Sequence, residues 1–366
     1  MAEAPATDLQ KFFPRLIDEI REGECVLLLG PDIVWVEGVP FMQKMRDLIY
    51  AAHREDGTQE EDIVFNFKRD GLFLFAEKEN KHDVQYELRS CLNQQQPPDL
   101  YRQIACIPFH LIISVNPDHF MPMAYDDLGV KHDFAYFNHA VPEENTPLEE
   151  PTSKRPLVYN LCGSHRKPAS MVLDYDDLFR LIKGIMSEKG LPVKLRRKLE
   201  DANTFLFLGF HFEKWYTQLL LRLLSGDKNP RKFAIDTVLE DEQTNTFLIK
   251  QFKIEFKKPE DDFFQTLFRA CQKEVDFLRG NGAVETEITP EAIVRWLESG
   301  QTERGIKALR SLMAGTEFAE DLILLSNRYN RWKEKSANKT ADSRDLEVEY
   351  NQIVKSLIGI VQSIHS

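Results

Sequence analysis

The chain has 366 residues, 42% of them hydrophobic and 29% charged. That is an ordinary globular composition, and the length predicts two or three domains. A net charge of −12 argues against general affinity for nucleic acid, and no run of about 18 apolar residues is present to span a membrane.

The opening "MAEAPATDLQ" lacks a basic start followed by an apolar core, so no secretory signal is expected. Five cysteines, Cys25, Cys91, Cys106, Cys162 and Cys271, are widely spaced and include no CxxC pair. They predict reduced thiols in a cytoplasmic protein, with neither a metal site nor a disulfide framework.

Residues 8–22 read as a first helix stopped by Gly23. "CVLLLG" follows, a continuous apolar run closed by glycine. Such a run predicts a strand buried on both faces of a parallel sheet. Residues 41–105 read as helical, with loops at "REDGTQ" and "NQQQPPD". "FHLIISVN" predicts a second buried strand ending at Asn116-Pro117. A polar, proline-rich loop spans 141–156, and "PLVYNL" predicts a third strand ending before Cys162-Gly163.

"YDDLFRLIKGIM" predicts a helix whose start is supplied by Asp174, Asp176 and Asp177, acids that suit a helix N-terminus better than a metal. "NTFLFLGF" is a fourth buried strand and "EKWYTQLLLRLLS" an amphipathic helix. "KFAID" and "FKIEF" are further strands, and "PEDDFFQTLFRACQKEVDFLRG" is the last helix of this unit. Alternating strands and helices predict an α/β fold, a Rossmann-like doubly wound, mostly parallel sheet. Ligands then sit at the strands' carboxyl ends, which here carry Gly30, Asn116, Cys162-Gly163 and Gly209.

"GNGAVETEITP" (280–290) reads as a domain boundary. The tail shows no strand pattern. It predicts two short helices broken at Ser299-Gly300, a third over "EFAEDLILLSNRYNRWKEKSA", and a fourth with apolar residues at 346, 350, 353, 354, 357, 358 and 361. This is a C-terminal all-α helical domain of about 80 residues. "NRYNRWKEK" interleaves aromatics with cations, but its acidic flanks favour a solvated face or a protein contact over nucleic acid.

The order "LLLGPDIV", "ISVNPDHF", "LCGSHRKPASMVLDYDDL", "FLFLGFHFEKWYTQLL" resembles the SIR2-like domains of bacterial conflict and antiviral proteins over roughly residues 10–278. The stretch "LILLSNRYNRWKEKSANKTADSRDLEVEYNQIVKSL" resembles the helical effector-associated domains that join an effector to a partner carrying a like module. The resemblance thus implies a SIR2-like, NAD-binding or NADase domain over 1–280 and an adaptor domain over 284–366. It also implies NAD as substrate or ligand, a protein partner with a matching domain, and homo-oligomerisation; the charge and hydropathy above predict no nucleic-acid or membrane partner.

In that family the first loop is usually Gly-Ala-Gly-hydrophobic-Ser and approaches the pyrophosphate. The second carries Asn-x-Asp, the third a His-Gly whose His is the general base, and the fourth a glycine near the adenosine ribose. The resemblance therefore assigns catalytic roles around Asn116, Asp118, Cys162 and His165. It places cofactor contacts at Gly30, Pro31, Asp32, Asn116, Gly163, Ser164 and Gly209. Gly30-Pro31-Asp32 departs from the first motif, and Asp32 brings charge where a pyrophosphate is expected. Cys162 stands in the seat of the base.

Each residue also has a structural reading. Cys162 reads as a buried strand-end thiol, a nucleophile needing a paired base, or a residue that shapes the pocket. His119, His165 and His211 are candidate replacement bases, against solvent-facing loop histidines. Asn116 reads as an amide holder or a turn before proline, and Asp118 as an orienting group or a cap. Gly30 and Gly163 equally suit tight turns.

Two functions follow: an NAD⁺ hydrolase that breaks the nicotinamide–ribose bond, or a catalytically degenerate scaffold or sensor acting through protein contacts. The cysteine quartet usual in deacylase relatives is missing, which sets deacylation last.

Overall fold

The structure is a computed structural model. It describes residues 6–53, 62–141, 148–187, 190–210, 212–225, 230–235, 246–257, 263–279, 318–337 and 343–363, with separate positions between 290 and 313. The boundary stretch 280–289, the break at Ser299-Gly300 and His211 lie outside the described residues. The chain divides into two compact units, Met1–Gly282 and Ala283–Ser366.

The first unit is built on a seven-stranded sheet. Its strands are β1 (Cys25–Leu29), β6 (Leu111–Ser114), β7 (Asp133–Tyr136), β8 (Leu157–Asn160), β9 (Thr204–Leu208), β10 (Arg231–Ile235) and β11 (Ile254–Lys257). Their order is β11-β10-β9-β1-β6-β8-β7, and every pairing is parallel. Every residue of β1, β6, β8 and β9 is buried. Helices cover both faces, so these strands read as unbroken apolar runs.

β1 is the switch point, with β9 on one side and β6 on the other. Register sets the strand ends level: Leu29 pairs with both Ser114 and Leu208, and Ser114 pairs with Asn160. The ladder runs one step further through Gly30 N–H to Leu208 O (2.8 Å), Val115 N–H to Leu29 O (3.0 Å) and Leu161 N–H to Ser114 O (2.8 Å). Residues 30, 116, 162 and 209 therefore leave the sheet at one edge.

The helices of this unit are α1 (Ala6–Glu22), α2 (Phe41–Ala52), α3 (Lys78–Asn93), α4 (Asp99–Cys106), α5 (Phe120–Asp127), α6 (Tyr175–Ile185), α7 (Val193–Asp201), α8 (Trp215–Ser225) and α9 (Phe263–Lys273). The reading of 41–105 as helical needs correction. Two short strands, β2 (Trp35–Val36) and β3 (Val39–Pro40), precede α2, and a hairpin of β4 (Ile63–Phe67) and β5 (Leu72–Phe75) separates α2 from α3. Short apolar runs such as "IVFNF" fit either periodicity. The deciding feature is the turn between them, where Gly71 adopts φ +74° and its N–H reaches Phe67 O at 2.7 Å. β7 was not foreseen either; it is a half-buried edge strand without a continuous apolar run.

Asp174 caps α6 by accepting from Asp177 N–H at 2.8 Å. Lys81 on α3 then bridges Asp174 (2.7 Å) and Asp177 (2.6 Å), and the His139 ring, in the loop after β7, meets Asp177 at 3.1 Å. Burial alone would raise the Asp177 carboxyl. The His139 hydrogen bond and the Lys81 charge outweigh it and hold the group below the ordinary carboxylate range.

With its folded pKa below the unfolded one, Asp177 contributes stability that is complete above about pH 4 and lost as pH falls through the folded value. Lys81→Met, which strands two carboxylates, is expected to cost about 3 kcal/mol near neutrality. It should also flatten the acid limb of stability against pH, read from urea midpoints between pH 3 and 7. An unchanged limb would exclude the cluster as its source.

In the second unit, α10 (Ala319–Ala337) and α11 (Ser343–Ser363) share a core with Ile293, Leu297, Ile306, Leu309 and Met313. Ile353, Leu357 and Val361 of α11 are buried at helical spacing. The aromatics of "NRYNRWKEK" serve this core: Tyr329 is buried, and Trp332 donates to Leu346 O at 2.8 Å and packs on Tyr350. The cations face outward onto α11, Arg328 to Gln352 (2.8 Å) and Lys335 to Glu349 (3.1 Å).

Candidate functional site

At the carboxyl edge of the sheet three loops are locked together by backbone approach. A Cβ on Gly30 would lie 2.0 Å from Gly209 O, and one on Gly209, at φ +69°, would lie 2.2 Å from Ile33 N. Asp32 N–H donates to Gly209 O at 3.0 Å. Gly163 adopts φ +85°, and a Cβ there would lie 2.0 Å from Ser170 O. The space freed by these glycines is filled by other parts of the chain.

Asn116 is buried and ties the second loop to the first, its Nδ2 donating to Gly30 O at 2.9 Å. Its amide also hydrogen-bonds the buried Tyr101 hydroxyl. Asp118 acts as a cap, with Oδ1 accepting from Phe120 N–H at 2.9 Å, while its own carbonyl accepts from Asn160 Nδ2 at 2.8 Å. Burial pushes the Asp118 carboxyl up to about 7. Ser164 is fully buried in the next turn, where its N–H donates to Ser170 Oγ at 2.9 Å.

The two described histidine candidates are buried, against the expectation of exposed loop positions. His165 spans Pro117 O at 3.0 Å from Nδ1 and the Asn93 side-chain amide at 3.1 Å from Nε2. A carbonyl can only accept, so Nδ1 carries the proton and the ring clamps the third loop to the second. Burial lowers its pKa. His119 packs edge-on against Phe134 at 4.1 Å, and burial with the nearby Arg166 charge lowers it to about 3.

Between these loops and the α2–hairpin layer lies an inner cavity of about 100 Å³. Pro31, Asn116 and Cys162 line it together with Asp70, Arg46, Lys214 and Tyr216, among apolar side chains from Leu28, Leu161 and Phe207. Burial pushes the Cys162 thiol up to about 12, so it is neutral and faces the cavity as a small soft group. An outer basin of about 410 Å³ shares Arg46 and Lys214 with the cavity and adds Asp32, Trp35, Lys68, Arg69 and Glu213. The basin falls within the usual size of small-molecule sites and the inner cavity falls below it.

Residues 110–256 match the family model for the SIR2-like domain, and residues 288–365 match that for effector-associated domain 11. This chain joins a SIR2-like domain to an effector-associated domain. No curated protein matches it. SIR2-like domains generally bind NAD, and the pairing with an effector-associated domain fits an effector of a conflict system that works through protein contacts. Among the described residues, no helix is long and apolar enough to cross a membrane.

Of the residues singled out from sequence, the structure of the first unit brings Pro31, Asn116 and Cys162 to one cavity and Asp32 to the adjoining basin. Gly30, Asp118, Gly163, Ser164, His165 and Gly209 build the loops around that cavity and line neither space. Sequence reading missed Arg46, Asp70 and Lys214. Arg46 lies on α2, Asp70 in the β4–β5 turn and Lys214 just before α8, so no local pattern joins them. Tyr175 donates to Asp70 Oδ2 at 2.5 Å and holds the carboxylate, while Tyr216 donates to the Asp70 backbone carbonyl at 2.6 Å and holds the main chain.

Proposed function

We propose that the chain is a conflict-system effector that takes NAD⁺ into this paired space, cleaves its nicotinamide–ribose bond, and is recruited or assembled through its C-terminal domain. One observation carries the reading: Pro31, Asn116 and Cys162, from three separate strand ends, line a single cavity that shares Arg46 and Lys214 with a cation-bearing basin. Cleavage of that bond passes through an oxocarbenium-like state and needs mainly fixed negative charge and a positioned water. Asp70 is the carboxylate lining the inner cavity among the described residues; Tyr175 holds its carboxylate and Tyr216 its backbone carbonyl.

A second reading, a catalytically degenerate sensor or scaffold, is favoured by the neutral Cys162 thiol and by the engaged ring of His165. Full-length chain incubated with NAD⁺ separates the two. Nicotinamide release that falls at least about a hundredfold in Asp70→Asn supports the enzyme. An NAD⁺-dependent thermal shift without release supports the sensor. With neither release nor shift, the enzyme and the sensor both fail and the scaffold, acting through protein contacts alone, is supported.

A further inference from the structure

The outer basin holds more positive charge than its own residues neutralise. Arg46, Lys68, Arg69 and Lys214 face Asp32 and Glu213 across it. Lys68 is ion-paired with Asp47 at 3.3 Å. Among the described residues, no carboxylate lies within ion-pair distance of Arg46, Arg69 or Lys214. A half-buried guanidinium with five donors and no acceptor is a costly arrangement unless a ligand completes it.

Arg46 is also held in place. A Cβ on Gly71 would lie 3.0 Å from Arg46 Cζ, so the guanidinium packs flat on the hairpin turn that glycine makes. Burial and the Arg46 charge depress Lys214, while Asp32 pulls the other way. Asp32 thus acts as a counter-charge to both cations.

A glycine loop that binds pyrophosphate does so by leaving its backbone open to the ligand. Here the open side of Gly30 is occupied by Gly209 O. Phosphate must therefore be met by side chains. Trp35, 56% exposed at the basin rim, with its indole N–H fixed on Asp32 O at 2.9 Å, offers a flat surface for a base.

We infer that Arg46, Arg69 and Lys214 form a side-chain clamp for the phosphates of a nucleotide ligand, and that Asp32 is the internal counter-ion the phosphates displace. The inference rests on the nucleotide reading of the site above. It assigns specificity for phosphorylated ligands to residues outside the four strand-end motifs. It also turns the Asp32 departure from a defect into part of the binding device.

The test is binding of NAD⁺, inorganic pyrophosphate and nicotinamide riboside to the full chain by calorimetry, in wild type, Arg46→Met, Lys214→Met and Asp32→Asn. Arg46→Met and Lys214→Met are each expected to weaken NAD⁺ and pyrophosphate about tenfold to a hundredfold, the usual worth of a charged contact. Nicotinamide riboside should change less than about twofold, since it carries no phosphate. Asp32→Asn should tighten NAD⁺ several-fold, a gain that misfolding cannot produce. Arg46→Lys, which keeps the charge and loses the fork, should fall between wild type and Arg46→Met.

NAD⁺ binding that is equal in wild type and both methionine variants would overturn the clamp and leave the nucleotide reading standing. Pyrophosphate binding lost in those variants, with no NAD⁺ binding in any, would keep the anion site and sink the nucleotide reading. Wild type that binds none of the three probes would end both.

Discussion

Gly209→Ala is expected to destabilise the first unit by roughly 3 kcal/mol or more. Two costs add. An L-residue at φ +69° pays about 1–2 kcal/mol for the left-handed conformation. The new Cβ would then lie 2.2 Å from Ile33 N and 2.5 Å from Ile33 Cα, both backbone atoms that cannot rotate away. Overpacking of that kind adds roughly 1–3 kcal/mol. Gly129 provides the control. It has nearly the same φ, +65°, but a Cβ there meets nothing within 4 Å. Gly129→Ala should therefore show the conformational cost alone. The difference between the two urea midpoints measures the close approach of the first and fourth loops. Equal losses in the two variants would show that the loops are not packed as described.

The same substitution reaches the site. Residues 31–33 are what the new methyl would displace, and Pro31 lines the inner cavity while Asp32 lines the basin. Gly30 O, next to them, accepts the Asn116 amide. Ligand binding in Gly209→Ala should accordingly fall by more than its loss of stability explains.

What could be read in the sequence follows from how local each cause is. The runs "CVLLL", "LIIS", "LVYN" and "TFLFL" became the four fully buried strands because burial on both faces leaves a mark in consecutive residues. Asp174 as a helix start was equally legible, since its cap bond reaches just three residues ahead. Non-local causes left no such mark. The edge strand β7 needs no apolar run, and the β4–β5 hairpin is decided by one turn. Arg46, Asp70 and Lys214 come from three elements and meet through tertiary packing. Asn116 and Cys162 were legible as cavity residues because strand ends in a parallel sheet converge by register. That the Asn116 amide is already engaged depends on Gly30, 86 positions away, and on Tyr101.

Arg279→Met should produce a loss of comparable size, roughly 3 kcal/mol or more, from a residue that carries no motif. Its guanidinium donates to Phe109 O (2.7 Å), Ile107 O (2.9 Å), Ser153 O (3.0 Å) and Ala105 O (3.2 Å), and to the Tyr125 hydroxyl at 3.3 Å. The Ala105, Ile107 and Phe109 carbonyls lie at and just past the C-terminus of α4, where free acceptors and the negative end of the helix dipole both favour a cation. Ala105, Ile107 and Phe109 are fully buried, so water reaches their carbonyls poorly once the donor is gone. Each stranded acceptor costs about 1–3 kcal/mol, and relaxation recovers part of the sum. Arg279→Lys keeps the charge with fewer, unforked donors and should lose an intermediate amount. The segment these bonds hold runs directly into β6 and so into Asn116. NAD⁺-dependent thermal shift should therefore shrink in Arg279→Met alongside the urea midpoint. A midpoint within about 1 kcal/mol of wild type would mean that water replaces the guanidinium at those carbonyls, and the arginine would then be dispensable to the strand that carries the site.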